Sequence, residues 1–342
     1  LLTGVSCWVL FTFYFPNESL TSSAYYAEGL ENVRNHVGET KFESVSGYEK
    51  YTDFIIFQLG EHLNEIAQIL FFLMGAMTIV ELVDAHEGFR FITERIKTRS
   101  PKKLLWVVCW VTFFLSAVLD NLTTTIVMVS LIRKLVHNKE MRLFFAGMII
   151  VAANAGGAWS PIGDVTTTML WIGGQISAPE IVKDVFLPSV VCMIVPLIYL
   201  NFKLDGTLGA ADHQKPATEH DIKSGNLMLL LGIGALVSVP VFKTVTHLPP
   251  YLGMMLGLGA LWVVSELLNP HLDESLKKRY TAAGALARID MPSVLFFLGI
   301  LLAVGALESL LILQNFAEYL NNTLGDDRII ITLIGVLSSI VD

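Results

Sequence analysis

Apolar residues in this chain run in long blocks, and the polar residues collect between them. The blocks at 104–119, 185–200, 227–242, 251–268 and 294–307 hold few polar positions; in the first, only Thr112 and Ser116 interrupt. Stretches near 20 residues suit a hydrocarbon core of ~30 Å, where a helix is the open-chain form that pairs all its own backbone groups. The pattern predicts an all-α fold, a polytopic membrane protein. Its crossings fall near 66–84, 143–176, 181–200, 225–243, 250–268 and 292–313.

Two segments depart from plain crossings. The run at 104–119 leads into Asp120-Asn121-Leu122-Thr123-Thr124-Thr125 and then a short apolar run, 126–132. Bases lie on both sides: Arg90, Arg95, Lys97, Arg99, Lys102 and Lys103 before it, Arg133, Lys134, Lys139 and Arg142 after it. Cytoplasmic loops concentrate Lys and Arg, so both ends belong on one face. That predicts a re-entrant hairpin over 104–136 with 120–125 at its tip. Next, the apolar run 143–153 is expected to stop at Asn154, because Gly156-Gly157 and Pro161 break helices, and to resume from Val165 to Ile176. Unwound backbone at membrane depth is tolerated only where protein or a polar cavity covers it. A hairpin tip beside a broken helix is therefore the predicted binding site.

The polar stretch 16–53 carries seven acids against three bases and is expected outside, opposite the basic 88–103. Counting crossings onward places 269–290 inside, as Lys277, Lys278, Arg279 and Arg288 require. Phe71-Phe72-Leu73 begins a helix 45 residues before Ser116-Ala117-Val118-Leu119-Asp120, and Phe296-Phe297-Leu298 begins another 42 residues before Ser338-Ser339-Ile340-Val341-Asp342. The first copy crosses inward and the second outward, an inverted repeat with interrupted helices, the architecture of secondary transporters. The predicted organisation is the end of a transmembrane helix plus a polar extracytoplasmic insert (1–53), a first repeat (54–176), connecting scaffold helices (177–290) and a second repeat (291–342) that stops before its own hairpin tip. The chain opens on Leu1 and closes on Asp342 straight after an apolar run, so it is expected to be part of a longer one.

Composition supports the membrane reading and removes other classes. The chain is 53% hydrophobic and 16% charged, against roughly 25% charged in soluble domains. Nucleic-acid binding and disulfide-stapled secretion are excluded. The net charge of −8 adds nothing, since loop placement carries the information. Cys7, Cys109 and Cys192 lie in apolar blocks without metal-ligand spacing.

The candidate chemistry lies in two Asp-plus-Thr clusters, Asp120–Thr125 and Asp164-Val165-Thr166-Thr167-Thr168. Hydroxyls, amide oxygens, freed carbonyls and one or two carboxylates are hard ligands suited to a small cation. Asn154, Ser160 and Ser338 are positioned to complete such a shell. An acid at membrane depth is costly to bury, and burial disfavours its bare charge. It is thus expected to exchange a proton for a cation. Asp120 and Asp164 also each precede a helical stretch and can serve as plain N-caps; the threonines can bond to their own helix backbone. Glu65, Glu81, Asp290 and Glu308 are supporting acids that can equally pair with nearby bases. His62 and His86 flank a crossing.

Three long motifs carry a family resemblance: Phe71–Asp84 with His86 and Gly88 (FFLMGAMTIVELVDAHEG), Ser116–Thr125 (SAVLDNLTTT) and Ala152–Gly174 (AANAGGAWSPIGDVTTTMLWIGG). Over most of 55–342 the chain resembles NhaD-type sodium/proton antiporters of the ion transporter superfamily, which also holds dicarboxylate and arsenite carriers; the insert 16–53 lies outside the resemblance. It implies a non-enzymatic homodimer in a bacterial inner membrane, serving pH homeostasis, with a mobile domain moving by an elevator mechanism. The transported ions would be Na⁺ or Li⁺ and H⁺, with no cofactor. By position it assigns the ion and proton site to Asp120, Asn121, Thr124, Asn154, Asp164, Thr166, Thr167, Ser338 and Asp342. Sodium is placed at Asp120, Asn121, Asn154, Asp164 and Thr166. The alternative on the same fold is a sodium-coupled carrier of dicarboxylate or inorganic anion, against which the central motifs offer no Arg or Lys. An intramembrane enzyme would need paired histidines, or a serine with a base, at that depth.

Overall fold

The computed structural model describes residues 1–13, 18–90, 98, 100–136, 138–204, 219–268 and 280–341. Among these every regular element is a helix. In chain order they are α1 (Leu2–Phe13), α2 (Glu18–Thr21), α3 (Ala24–Val37), α4 (Glu39–Ser44), α5 (Gly47–Ala85), α6 (Pro101–Ser116), α7 (Asn121–Leu135) and α8 (Lys139–Ala158). There follow α9 (Val165–Ile172), α10 (Ala178–Lys203), α11 (Glu219–Thr246), α12 (Pro250–Leu268), α13 (Ala282–Leu286), α14 (Met291–Ser309), α15 (Ile312–Leu324) and α16 (Asp327–Val341). Among the described residues, six helical segments are long and apolar enough to cross a bilayer: α5, α8, α10, residues 224–246 of α11, α12 and α14. This is an all-α, multi-pass membrane protein. The chain divides into two units, Leu1–Ala67 with Met291–Asp342, and Gln68–Asp290.

In the first unit α1 lies against α14. A Cβ on Gly4 would sit 2.3 Å from the Gly299 carbonyl oxygen, so only hydrogen at that position lets the backbones approach. Trp8 donates its indole N–H to the Leu302 carbonyl at 2.8 Å, which satisfies a polar group that lipid would leave bare. The acidic stretch departs from its reading as a purely polar insert. Ser23 caps α3 by accepting from the Tyr26 N–H, and Tyr26 and Val33 are buried. The Tyr26 ring meets Phe54 at 4.9 Å, and Tyr51 and Phe54 have no exposed surface. Residues 47–53, assigned to the insert from sequence, instead open the 39-residue α5. Their acids occupy one face, while the aromatic face packs on α1 and α3.

The second unit holds the hairpin and the broken helix. α6 ends at Ser116, a turn covers 117–120, and α7 starts at Asn121. α8 packs against α6, α7 and α10. Here the sequence reading of the break needs correction. α8 does not stop at Asn154; it continues through Gly156 and Gly157 to Ala158, and the interruption is Trp159–Asp164. The two glycines are close-packing positions. A Cβ on Gly156 would lie 2.1 Å from the Phe113 carbonyl oxygen, and one on Gly157 would lie 2.4 Å from that of Gly163. Helix propensity disfavours glycine by about 1 kcal/mol, but the contact with α6 requires it.

Candidate functional site

Three helix ends meet at one amide. Asp120 is the N-cap of α7: one carboxylate oxygen accepts from the Thr123 N–H at 2.8 Å, and the other accepts from the Thr123 hydroxyl. This fixes the first turn, so that Asn121 points away from its own helix. Its Nδ2 donates to Asn154 Oδ1 at 2.9 Å and to Asp164 Oδ1 at 2.8 Å. Asn154 lies near the end of α8 and gives its own amide N–H to the Ile150 carbonyl, leaving its oxygen to face Asn121. Asp164 is the N-cap of α9 and accepts the Thr166 N–H at 3.1 Å on its second oxygen. Both acids therefore cap helices, and Asp164 also reaches across to the hairpin.

The surrounding hydroxyls hold backbone in place. Ser116 donates to the Ala153 carbonyl at 2.6 Å, tying the end of α6 to α8. Thr167 bridges the Ser160 and Asp164 carbonyls, and Thr168 donates to the Pro161 carbonyl at 3.0 Å, so the break residues 160–164 are pinned to the first turn of α9. Thr124 differs. Its side chain is fully buried in the first turn of α7, and its hydroxyl has no partner. An unmet buried hydroxyl costs about 1–3 kcal/mol.

Each oxygen donor here is hard, neutral or carboxylate, and among the described residues no cationic side chain bonds into the group. Comparison with known proteins bears on the same residues. The citrate transporter family model matches residues 45–342. Sodium/proton antiporter 1 of Arabidopsis thaliana is 51% identical over 292 residues, 85% of this chain and 50% of that protein. Sodium/proton antiporter 2 of the same plant is 44% identical, with 87% of this chain and 71% of that protein covered. The Na(+)/H(+) antiporter NhaD of Vibrio parahaemolyticus is 30% identical, covering 83% and 73%. The chain belongs to the NhaD-type sodium/proton antiporter group of the citrate transporter family. That family is one of transporters. The chain spans half the length of the first of these relatives.

Glu81 pairs with Arg288 at 3.0 Å, as a supporting acid with a base to meet. Glu65 and Glu308 line a cavity of about 710 Å³ in the first unit, with Tyr25, Glu61, His62 and Gln314. Asp290 is exposed, and Ser338 is exposed in the last turns of α16. Asp342 lies outside the described residues. Sequence reading also missed two tethers. His86, expected at an interface, is buried between Ser224 (3.0 Å) and Ser265 (2.8 Å), and Ser265 donates to the Tyr280 carbonyl. That donation makes His86 Nε2 the donor and Nδ1 the acceptor. The second is Lys243 on the Trp171 carbonyl. Both link residues more than 70 positions apart, and no local pattern announces them.

Proposed function

We propose that the protein exchanges Na⁺, or Li⁺, for H⁺ across its membrane, with the Asn121–Asn154–Asp164 cluster at the shared site. The observation that carries this is the Asn121 amide, which draws the hairpin tip, the end of α8 and the cap of α9 to one point. A sodium ion arriving there would find the Asp164 carboxylate, the Asn154 carbonyl oxygen and the unpaired Thr124 hydroxyl. Asp120, Thr166 and Thr167 shape the turns that hold them. One carboxylate cannot carry both a proton and a cation's countercharge in a water-poor site, so the two compete, and competition at a site with alternating access is antiport. An elevator movement of the broken-helix domain in a homodimer supplies that access. Because plant relatives share more identity than the bacterial ones, the reading that fits is a proton-energised membrane, of which the bacterial inner membrane is one instance.

The test is sodium-induced pH change in liposomes carrying the intact protein. Asp164→Asn and Asp120→Asn are each expected to reduce exchange severely, because an amide supplies neither the countercharge for the cation nor a titratable proton. Normal exchange in both would sink the mechanism.

A further inference from the structure

The far end of α9 carries a feature that cation binding alone does not explain. Lys243, in the last turn of α11, donates from Nζ to the Trp171 carbonyl at 2.5 Å, and the same ammonium lies 4.5 Å from the centre of the Trp171 ring. The Trp171 side chain is 3% exposed, so its position is fixed by packing. The last carbonyls of a helix have no partner within it and carry partial negative charge. Here the chain turns away through Gly174, at φ +72°, whose N–H reaches the Trp171 carbonyl at a long 3.3 Å, and Lys243 is the second donor on that oxygen, which has two lone pairs. Among the described residues no carboxylate pairs with Lys243. Its charge is met by the helix end and the indole face.

α9 has eight residues and is about 12 Å long at 1.5 Å per residue. A helix this short is marginal by itself, so its anchors decide where it lies. At one end the anchors are the Thr167 and Thr168 hydroxyls on the Ser160 and Pro161 carbonyls, beside Asp164. At the other end the anchor is Lys243, from a helix that takes no part in the site. A displacement of the Trp171 end moves the Asp164 carboxylate relative to Asn121.

We infer that Lys243 is a positioning residue for cation binding: by capping the C-terminal end of α9 it holds Asp164 in register with Asn121 and Asn154. This rests on the antiport reading above. The role has a sign that separates it from a field effect. A cation about 12 Å from the site repels sodium through space, so its removal would tighten sodium binding. Loss of positioning weakens it.

The experiment measures sodium-driven proton flux in liposomes against sodium concentration, on the intact protein, for Lys243→Met, Lys243→Arg and Asp164→Asn. Lys243→Met is expected to raise the apparent KM for sodium roughly three- to tenfold, with the maximal rate changed much less. Lys243→Arg, which keeps the charge, the donors and the stacking on Trp171, is expected to restore the wild-type KM. If Lys243→Met does not accumulate in the membrane, Lys243→Gln, with a donor and no charge, carries the same expectation. An unchanged or lowered KM while Asp164→Asn abolishes exchange overturns the positioning role alone. Normal exchange by Asp164→Asn overturns the site reading and the positioning role with it.

Discussion

The two regions that share the FFL…S-x-x-x-D string take the same local form and reach opposite burial. In both, the string starts inside a long helix and the serine ends up in or near the last turn of another, Ser116 in α6 and Ser338 in α16. Two residues past the end of each long helix stands a non-glycine residue at positive φ, Glu87 (55°) and Leu311 (56°), 16 and 15 residues after Phe71 and Phe296. Yet Ser116 is fully buried and bonds to Ala153, whereas Ser338 is exposed. Three residues before each serine the contrast repeats: the Phe113 carbonyl receives Gly156 of α8, while Gly335 has nothing within 4 Å of a Cβ. Phe71 and Phe296, expected to begin helices, lie inside helices that start at Gly47 and Met291, so the string marks only where the following helix ends. Burial comes from α8, which packs on α6 in the first repeat. A repeat seen in sequence is therefore a statement about local geometry, and its chemistry depends on what is laid against it.

The largest effect should come from filling the α6–α8 contact. Gly156→Val puts methyl groups into the Phe113 backbone, which cannot retract as a side-chain tip can. Overpacking of this kind costs about 3 kcal/mol or more, and the thermal midpoint of the detergent-solubilised protein should fall by many degrees. Gly335→Ala, in the matching stretch of α16, should raise it slightly, since glycine in a helix interior costs roughly 0.5–1 kcal/mol relative to alanine. Equal effects at the two sites would mean that the close approach seen at Phe113 does not exist.

The serines give a middle-sized contrast. Ser116→Ala removes the donor to a buried carbonyl and should cost about 1–3 kcal/mol, again read as a fall in thermal midpoint. Ser338→Ala removes an exposed hydroxyl and should leave the midpoint within about a degree, in line with surface substitutions. A Ser338 cost as large as that of Ser116 would show that the two repeats are buried alike, which contradicts the exposed α16.

Much of this could be read from the sequence, for physical reasons that also mark the limit. The crossings were legible because lipid demands long apolar helices: the expected 250–268 is α12, and 181–200 falls within α10. The polar break was placed at the right motif, but the glycines were misread. Gly156 and Gly157 carry the signature of a helix breaker, and only the facing Phe113 and Gly163 carbonyls show them to be contacts. The meeting of Asn121, Asn154 and Asp164 was expected from residue type, while the bonding itself depends on three helix ends converging. Folding of the acidic insert was hidden, because its aromatic residues, Tyr26, Tyr51 and Phe54, alternate with acids that dominate any count of charge.

The smallest effect is the most direct comparison of the repeats. A non-glycine residue in the left-handed region costs roughly 1–2 kcal/mol, and Glu87 and Leu311 have nearly the same φ. Replacing either by glycine removes the same strain and adds the same unfolded-state entropy, so the difference between the two substitutions reports only the side chain. Glu87 is exposed and reaches Arg90 at 3.0 Å, a surface pair of about 0–1 kcal/mol. Leu311 is half-buried at the edge of the cavity that holds Glu65 and Glu308, and losing it gives up about 1 kcal/mol of apolar burial or more. Glu87→Gly should therefore be neutral or stabilise by a few tenths of a kcal/mol, while Leu311→Gly should lower the thermal midpoint by a degree or two. If Leu311→Gly were the more stable of the two, its side chain would not be packed, and the second repeat would be exposed at its helix turn as well as at Ser338.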